Sequence, residues 1–423
     1  MTQLYDQKTW ASEVILDADM NRMEYGIAGR SYHVFAGGTK GDFDDLQEAI
    51  DKCESDGGGT VVVHGEIVAQ SKLTIQESNI ALIGRDYGSI KKKTDLNDTL
   101  LEIGVTGSTK ENILVSGLLI NGNKANQSGA ARDIYVRRGT NIRIEKNKIF
   151  DGKWHALYFD NYAQNKIWVQ GNYFLDIDTV GIFFDGLAAS SGDINFIENI
   201  LENIGDKGIN FTSNAIRVNI SKNQLSAITL GGIVITADVS LLHLCGNIMN
   251  DIGAEGILLS GPSGFTVVGN VINDVVTLFM NLRGIANGVI GDNEMLLSGT
   301  NGIYGSDLAQ LLIKGNHLTN TDEHGMLFDT SYDQNDRCHI EGNLLTAVGQ
   351  VLTNSYDGIN ANMRNSGITG NHIANPVGNM QRYGINEAGT KNHVNSNSDH
   401  GAATAGFNIT GAGSQSGGNT STV

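Results

Sequence analysis

Six side chains that could do chemistry occupy matching places in three successive segments, DIYVRR, ALYFDN and GIFFDG, which begin at positions 133, 156 and 181. If each segment is a β-strand, alternation points every second residue to the same side. One outward column would then hold Tyr135, Tyr158 and Phe183, and a second would hold Arg137, Asp160 and Asp185. Flat aromatic surface suits sugar rings, whereas arginine and carboxylates suit hydroxyl groups or an acidic sugar.

The two aspartates are the candidate catalytic residues. If their strands are adjacent, Asp160 and Asp185 would lie about 5 Å apart. Two carboxyl groups at roughly that distance are the arrangement of a retaining glycosidase, with one acid and one base or nucleophile. A lyase would instead need a base and a cation near a substrate carboxylate, for which Arg137, Lys207 and His155 are candidates.

The same residues admit two readings without catalysis. Arg137 could pair with Asp160 as a surface salt bridge, and the aromatic column could be purely structural. Alternatively, the face could bind carbohydrate without turnover. The next segment, GINFTS, adds Asn210 and Thr212 to the two columns, and later segments present mainly Val, Leu, Ser and Thr at these places.

Composition favours a solenoid rather than a helical protein. The 423 residues include 54 Gly and only 2 Pro, and only 18% are charged. Frequent Gly and Asn indicate many tight turns, since both tolerate a left-handed backbone. The net charge of −17 argues against nucleic acid as a partner. Three scattered cysteines and the absence of nucleotide, zinc or calcium motifs predict neither a cofactor nor a bound metal.

An internal repeat defines the elements that must position these residues. An Asn recurs every 23 to 28 residues in most of the chain, at positions 147, 172, 199, 223, 247, 270, 293, 316, 343 and 371, and Gly or Lys precedes it in all but two cases, where Glu198 and Asp292 do. Six of these Asn are followed nine residues later by Gly, at 181, 208, 232, 256, 302 and 325. Each repeat therefore predicts a coil of three short strands. We expect the Asn to lie in a left-handed turn and to form a structural ladder from coil to coil.

Four regions follow from this pattern. Residues 1–34 predict a helical attachment segment with an apolar stripe of Met20, Met23 and Ile27, and residues 35–110 predict a capping helix followed by the first strands. That helix should open at Asp42 and bury Leu46, Ala49, Ile50 and Cys53. Residues 111–390 predict the parallel β-helix, and residues 391–423 a Gly/Ser/Thr/Asn-rich tail that is a linker, an arm or disordered. The start of the sequence has no signal-peptide pattern and no stretch is long enough to span a membrane.

GTKGDFDDLQEAIDKCESDGGGTVVVHGEI (38–67) resembles the opening of the pectate-lyase-like superfamily, and NILVSGLLINGNKANQ (112–127) resembles the early coil that follows there. The resemblance implies an all-β, single-stranded right-handed parallel β-helix. In that superfamily substrates lie across the outer face of the strand that is GIFF here. This implies a ligand-binding set of Tyr135, Arg137, His155, Tyr158, Phe183 and Asn210. The catalytic signatures of the superfamily, such as the polygalacturonase series, are missing from this sequence.

TWASEVILDADMNRMEYGIAGR (9–30) is similar to the N-terminal segment of phage tail-fibre and appendage proteins. The similarity implies a virion protein made in the host cytoplasm, usually a homotrimer, that works with other tail proteins. It favours recognition of a host cell-surface glycan. A polysaccharide-degrading hydrolase or lyase and a purely structural virion component are the alternatives.

Overall fold

The computed structural model describes residues 30–36, 42–104, 107–160, 162–185, 191–329, 335–350, 352, 355–375 and 381–422. The chain divides into two compact units, which are Met1–Asn214 and Ala215–Val423. The segment predicted as the N-terminal helix, with Met20, Met23 and Ile27, lies outside the described residues. Each unit is a stack of short parallel β-strands, so the predicted parallel β-helix is confirmed in both.

The first unit contains one described α-helix, α1 (Leu46–Ser55), and a short 3₁₀ turn at Lys124–Asn126. Its described strands are β1 (Ser31–Phe35), β2 (Gly59–Ala69), β3 (Leu73–Ile75), β4 (Ile80–Lys92), β5 (Leu101–Ile103), β6 (Lys110–Ser116), β7 (Leu119–Asn121), β8 (Ile134–Val136), β9 (Gly139–Glu145), β10 (Lys148–Gly152), β11 (Leu157–Phe159), β12 (Asn165–Gln170), β13 (Tyr173–Ile177), β14 (Ile182–Phe184), β15 (Gly192–Ile197), β16 (Ile200–Ile204) and β17 (Ile209–Phe211).

The described strands of the second unit are β18 (Val218–Ser221), β19 (Gln224–Ile228), β20 (Ile233–Ile235), β21 (Ser240–Cys245), β22 (Ile248–Ile252), β23 (Ile257–Ser260), β24 (Ser263–Val268), β25 (Val271–Val275), β26 (Met280–Gly291), β27 (Glu294–Ser298), β28 (Ile303–Lys314), β29 (His317–Thr321), β30 (Met326–Phe328), β31 (Asn335–Asp336), β32 (His339–Glu341), β33 (Leu344–Val348), β34 (Ile359–Ala361), β35 (Met363–Arg364), β36 (Gly367–Thr369), β37 (His372–Ala374), β38 (Tyr383–Glu387), β39 (His393–Asn395), β40 (Ser398–His400), β41 (Ala405–Ile409), β42 (Gln415–Gly417) and β43 (Thr420–Thr422).

Each coil of the first unit pairs in register with the coil before it. Strand β8 pairs in parallel with β11, and β11 pairs in parallel with β14, so equivalent residues of successive coils stack. Inward positions are apolar: Phe159 stacks on Phe184, with ring centroids 5.1 Å apart, and Phe184 stacks on Phe211 at 4.6 Å. The pleat therefore points the alternate residues of the same strands outward, which is what places Tyr158 and Phe183 on the outer face.

The predicted asparagine ladder is confirmed, but its geometry differs in one respect. In the first unit the Nδ2 of Asn147 donates to Oδ1 of Asn172 at 3.1 Å, and Asn172 donates to Asn199 at 3.0 Å. The prediction that these Asn adopt the left-handed conformation is wrong, because the preceding residue does so, with φ of 55° at Lys146 and 62° at Gly171. The turn residue takes the left-handed backbone and leaves the Asn side chain directed inward, where the coil interior holds it.

Helix α1 buries the predicted face of Leu46, Ala49, Ile50 and Cys53. It begins at Leu46, and its N-cap is Asp45, whose carboxylate accepts from the backbone N–H groups of Gln47 and Glu48. The prediction that Asp42 opens the helix is therefore wrong. Asp42 instead accepts a hydrogen bond from the backbone N–H of His33. Parallel pairing already joins β1 to β2, so coils begin well before residue 111.

The C-terminal segment predicted as a linker, arm or disordered tail is instead part of the solenoid of the second unit. Strands β39 to β43 pair in parallel with the coils before them. The asparagine ladder continues as well, because Asn371 donates to Asn397, which donates to Asn419. The prediction was wrong because it took low apolar content to mean that no core could form. In these coils, side-chain and backbone hydrogen bonds replace part of the apolar core.

Candidate functional site

The outward column predicted from the sequence is present in the first unit. The Cα partners along β5, β8, β11, β14 and β17 run Glu102, Tyr135, Tyr158, Phe183 and Asn210. Glu102 at the start of this column was not anticipated, because its strand LEI carries no recurring signal. The parallel register thus aligns four of the predicted ligand-binding residues on one face.

The second column follows the strands directly and contains Arg137, Asp160, Asp185 and Thr212. The backbone N–H of each residue in this column donates to a backbone carbonyl in the equivalent strand of the preceding coil. Asp160 donates to the carbonyl of Val136, and Asp185 donates to that of Phe159. The two aspartates therefore occupy equivalent positions on adjacent coils, as predicted.

Each of these carboxylates is held by a tyrosine of the preceding coil. The hydroxyl of Tyr158 donates to Oδ2 of Asp185 at 2.6 Å, and the hydroxyl of Tyr135 donates to Oδ2 of Asp160. Thr212 donates to the other oxygen of Asp185 at 3.1 Å. Burial and these hydrogen bonds raise the pKa of both tyrosines, so the phenols stay protonated and keep donating near neutral pH.

The two tyrosine rings are not the exposed sugar platform that the sequence suggested. Tyr135 is 8% exposed and Tyr158 is 7% exposed. The guanidinium of Arg132 covers them, at 4.9 Å from the ring centre of Tyr135 and 4.3 Å from that of Tyr158. Phe183 is only half-buried and remains available at the surface.

Arg132 and Trp154 are residues of this site that the sequence reasoning missed. The guanidinium of Arg132 lies 4.4 Å from the ring centre of Trp154, so the cation is in contact with three aromatic rings. Its Nε is buried without a hydrogen-bond partner among the described atoms. Both residues lie in turns before β8 and β11, where strand alternation cannot assign a direction to a side chain.

His155 belongs to the site but is neutral. Its ring stacks on Trp154 at 4.1 Å and meets the edge of Phe183 at 5.0 Å, and Nδ1 lies 3.0 Å from the hydroxyl of Thr179. Burial lowers the pKa of His155 to about 3, and the positive charge of Arg132 adds to the shift. The lowered pKa keeps the ring neutral near pH 7 and argues against a cationic role for His155.

The cations considered for lyase chemistry are engaged with acidic residues. Arg137 forms an ion pair with Glu102. The sequence suggested Asp160 as the partner of Arg137 and did not predict Glu102. The hydrogen bond to Glu102 raises the pKa of Arg137, and Asp160 contributes to the same shift. Lys72 also binds Glu102, at 2.6 Å, and Lys207 lies 3.2 Å from Asp206. Deprotonation of Arg137 as a general base is therefore unfavourable.

Among the described residues, no group of three or more His, Cys, Asp or Glu side chains could hold a metal ion. In the described part of the chain, no helix is long and apolar enough to cross a membrane. The face therefore offers two carboxylates held by tyrosine hydroxyls, two arginines and the rings of Trp154 and Phe183. Such a set can bind a hydroxylated ligand by hydrogen bonds and ring contacts.

The profile of the family described as "Right handed beta helix region" matches residues 67–225 and 208–351. The chain belongs to this family. As a right-handed β-helix protein, it has the handedness that the resemblance implied. No curated protein sequence matches the chain.

Solved structures share this fold at low sequence identity. The N-terminal fragment of bacteriophage phi29 gene product 12 is similar with a TM-score of 0.62 and 14% identity, covering 94% of this chain and 74% of that one. A tailspike protein variant of the E. coli bacteriophage HK620, in complex with a hexasaccharide, has a TM-score of 0.56 and 12% identity, covering 88% and 75%. PfbA, a surface adhesin of Streptococcus pneumoniae, has a TM-score of 0.51 and 13% identity, covering 87% and 92%. The chain spans 54% of the pre-mature form of the phi29 protein.

Proposed function

We propose that this right-handed β-helix protein is a virion appendage that binds a host cell-surface polysaccharide through the outer face of its first unit. The observation that carries the proposal is the pair of carboxylates, Asp160 and Asp185, each fixed by a buried tyrosine hydroxyl on the coil before. The fold shared with the phi29 gene product 12 fragment and the HK620 tailspike supports the same class of protein.

Binding follows from how these groups are held. An ionised carboxylate has about four acceptor sites, so accepting from one tyrosine leaves capacity for sugar hydroxyls. Successive coils repeat at about 4.8 Å, and the repeat presents Asp160 and Asp185 in a row along which an extended glycan can lie. Trp154 and Phe183 supply ring surface beside them. Because the tyrosines and Thr212 already fix the acceptors, less entropy is lost on binding.

Two tryptophans of the first unit provide a matched test. Trp154 lies at the proposed site, whereas Trp168 lies on β12, where Arg143 stacks on its ring at 4.8 Å. In biolayer interferometry against purified bacterial capsules and O-antigens, Trp154→Ala should abolish binding that Trp168→Ala retains. Loss of binding in both variants, or in neither, would refute the proposed face. Failure of the wild-type protein to bind any polysaccharide would favour a purely structural role.

Catalysis at Asp160 and Asp185 is the second candidate function, and their equivalent positions on adjacent coils favour it. The two would share the roles of acid and base or nucleophile in polysaccharide hydrolysis. The test is the release of reducing ends from a bound polysaccharide. Asp160→Asn and Asp185→Asn should each abolish release, whereas Asp193→Asn on β15 should not. Activity retained in both site variants would exclude this catalytic pair.

The assembly and location belong to the same proposal. The resemblance of residues 9–30 to phage appendage proteins supports a homotrimer that is joined to other tail proteins through residues 1–34. Sedimentation equilibrium of the full chain should give the mass of three copies, and deletion of residues 1–34 should prevent incorporation into virions. A monomer at micromolar concentration would contradict the trimer.

A further inference from the structure

The second unit carries a polar cluster that the proposed function does not use. Its residues are His324, Tyr356, Asp357, Asn360, Arg382 and Asn386, here called the Arg382 cluster. Asn360 and Asn386 are Cα partners on β34 and β38, in the outward column that also contains Tyr304 and Leu327.

A fully buried carboxylate organises this cluster. Asp357 accepts from Nε of Arg382 at 2.9 Å and from Nη2 at 2.7 Å, a two-point fork that fixes the plane of the guanidinium. It also accepts from Nδ2 of Asn386 at 3.2 Å. The side chain of Asp357 is 0% exposed, whereas that of Arg382 is 35% exposed. The arginine is thus rigidly held from inside and presents its outer edge to solvent.

His324 adds a donor of defined direction. The backbone N–H of Asp357 donates to its Nδ1 at 3.0 Å, so the proton of the neutral ring is on Nε2. Burial lowers the pKa of His324, and the charge of Arg382 contributes to this, so the ring is neutral near pH 7. Tyr356 packs edge-on against it, with centroids 5.3 Å apart.

The charges of the cluster cancel. Arg382 is matched by Asp357 and His324 is neutral, so an anionic ligand gains little from net charge. The carboxylate of Asp357 is fully buried and already paired with Arg382, so it is closed to a cation from solvent. The side chain of Asn360, the Cα partner of Asn386, has no hydrogen-bond partner among the described residues and offers both an N–H donor and a carbonyl acceptor. Directed donors and acceptors near the ring of Tyr356, without net charge, suit a neutral hydroxylated ring.

We propose that the Arg382 cluster is a separate binding site for a neutral saccharide. Arg382 and His324 donate to sugar hydroxyls, Asn360 both donates and accepts, and Tyr356 contacts the apolar edge of the ring. Asp357 and Asn386 act as positioning residues that hold Arg382. This site is independent of the face that contains Asp160 and Asp185, so each can fail without the other.

Saturation-transfer NMR on the full-length Trp154→Ala variant tests the proposal, because the first-unit face is disabled there. The probes are the methyl glycosides of glucose, galactose, mannose, rhamnose and N-acetylglucosamine, with methyl glucuronide as the anionic comparison. We expect transfer to at least one neutral glycoside. Asn360→Ala and Arg382→Lys should weaken it about tenfold, the effect of losing roughly one good hydrogen bond. The control Asn250→Ala, an exposed asparagine of β22, should leave it unchanged.

Absence of transfer to every neutral glycoside in Trp154→Ala would overturn the second site and leave the polysaccharide proposal to its own test. Transfer that Asn360→Ala and Arg382→Lys both leave intact would place binding elsewhere and also overturn it. Transfer to methyl glucuronide alone would show that the assigned ligand class is wrong. Circular dichroism of each variant separates lost binding from lost folding, and Asn360→Ala leaves the buried ion pair untouched.

Discussion

Replacement of Asp399 by Asn should stabilise the last coils of the second unit above neutral pH. Asp399 lies on β40 at a position that faces the interior, where its Cα partner on the coil before is Ile373, and it is 3% exposed. Burial raises the pKa of Asp399 from 3.8 to about 6, against the opposing hydrogen bonds of Ala402, Gln381 and Ser421. A carboxyl group in this position is more easily tolerated protonated than charged.

The magnitude follows from the pKa difference. The folded pKa lies about 2 units above the unfolded one, and each unit corresponds to about 1.4 kcal/mol. Below pH 3.8 the carboxyl group is neutral in both the folded and the unfolded chain, and the folded coils keep their full stability. That stability is lost as the pH rises through the folded pKa of about 6, and the loss amounts to about 3 kcal/mol at pH 8. Asn mimics the neutral form, so the variant should avoid this loss. Stability of the wild-type coils should therefore fall with rising pH.

Hydrogen exchange resolves these coils, because opening of a solenoid is local. After correction for intrinsic rates, amides of residues 393–400 should be protected about 100-fold more in Asp399→Asn than in the wild-type protein at pH 8. At pH below 4 the two should agree. Asp251→Asn, at an exposed residue of β22 in the same unit, is the control and should change neither. Equal protection at pH 8, or wild-type protection that increases with pH, would refute the reasoning.

Three further predictions concern the ladder and the site. Asn270→Ala should destabilise the second unit by about 2–5 kcal/mol in thermal unfolding, because the carbonyl of Leu244 and the neighbouring ladder amides lose buried hydrogen-bond partners. The control Asn250→Ala should cost under about 1 kcal/mol. Tyr158→Phe should weaken polysaccharide binding roughly 5- to 30-fold, because Asp185 loses the hydrogen bond that holds it. The control Tyr87→Phe, at a ring that is 71% exposed, should bind as the wild-type protein does. Equal affinities of the two variants would contradict this prediction. NMR titration of His155 should show no protonation between pH 5 and 8, and a midpoint near its ordinary pKa would disprove its burial.

The repeat made the outer column predictable. Because parallel coils pair in register, a recurring spacing in the sequence becomes an alignment in space, and Tyr135, Tyr158 and Phe183 lie where alternation placed them. The ladder was predictable for the same reason. A Gly or Lys before the Asn was the available signal that the turn residue, and not the Asn itself, adopts the left-handed backbone.

Alternation could not reveal what lies between strands or within a polar core. Arg132 and Trp154 lie in turns, and only folding brings the guanidinium over the tyrosine rings. The burial of those rings was missed because a period-2 pattern reports direction but not what covers an outward side chain. The C-terminal coils were missed because composition suggested no core, although Asn397 and Asn419 continued the repeat.

Hydrogen exchange of the full chain, with and without a polysaccharide that it binds, tests the central claim most directly. Binding at the proposed face should slow exchange in residues 131–137 and 154–160, while residues 165–170 of β12, on another strand of the same coils, should not change. Protection confined to other segments, or none at saturating polysaccharide, would contradict the assignment of this face as the glycan-binding site.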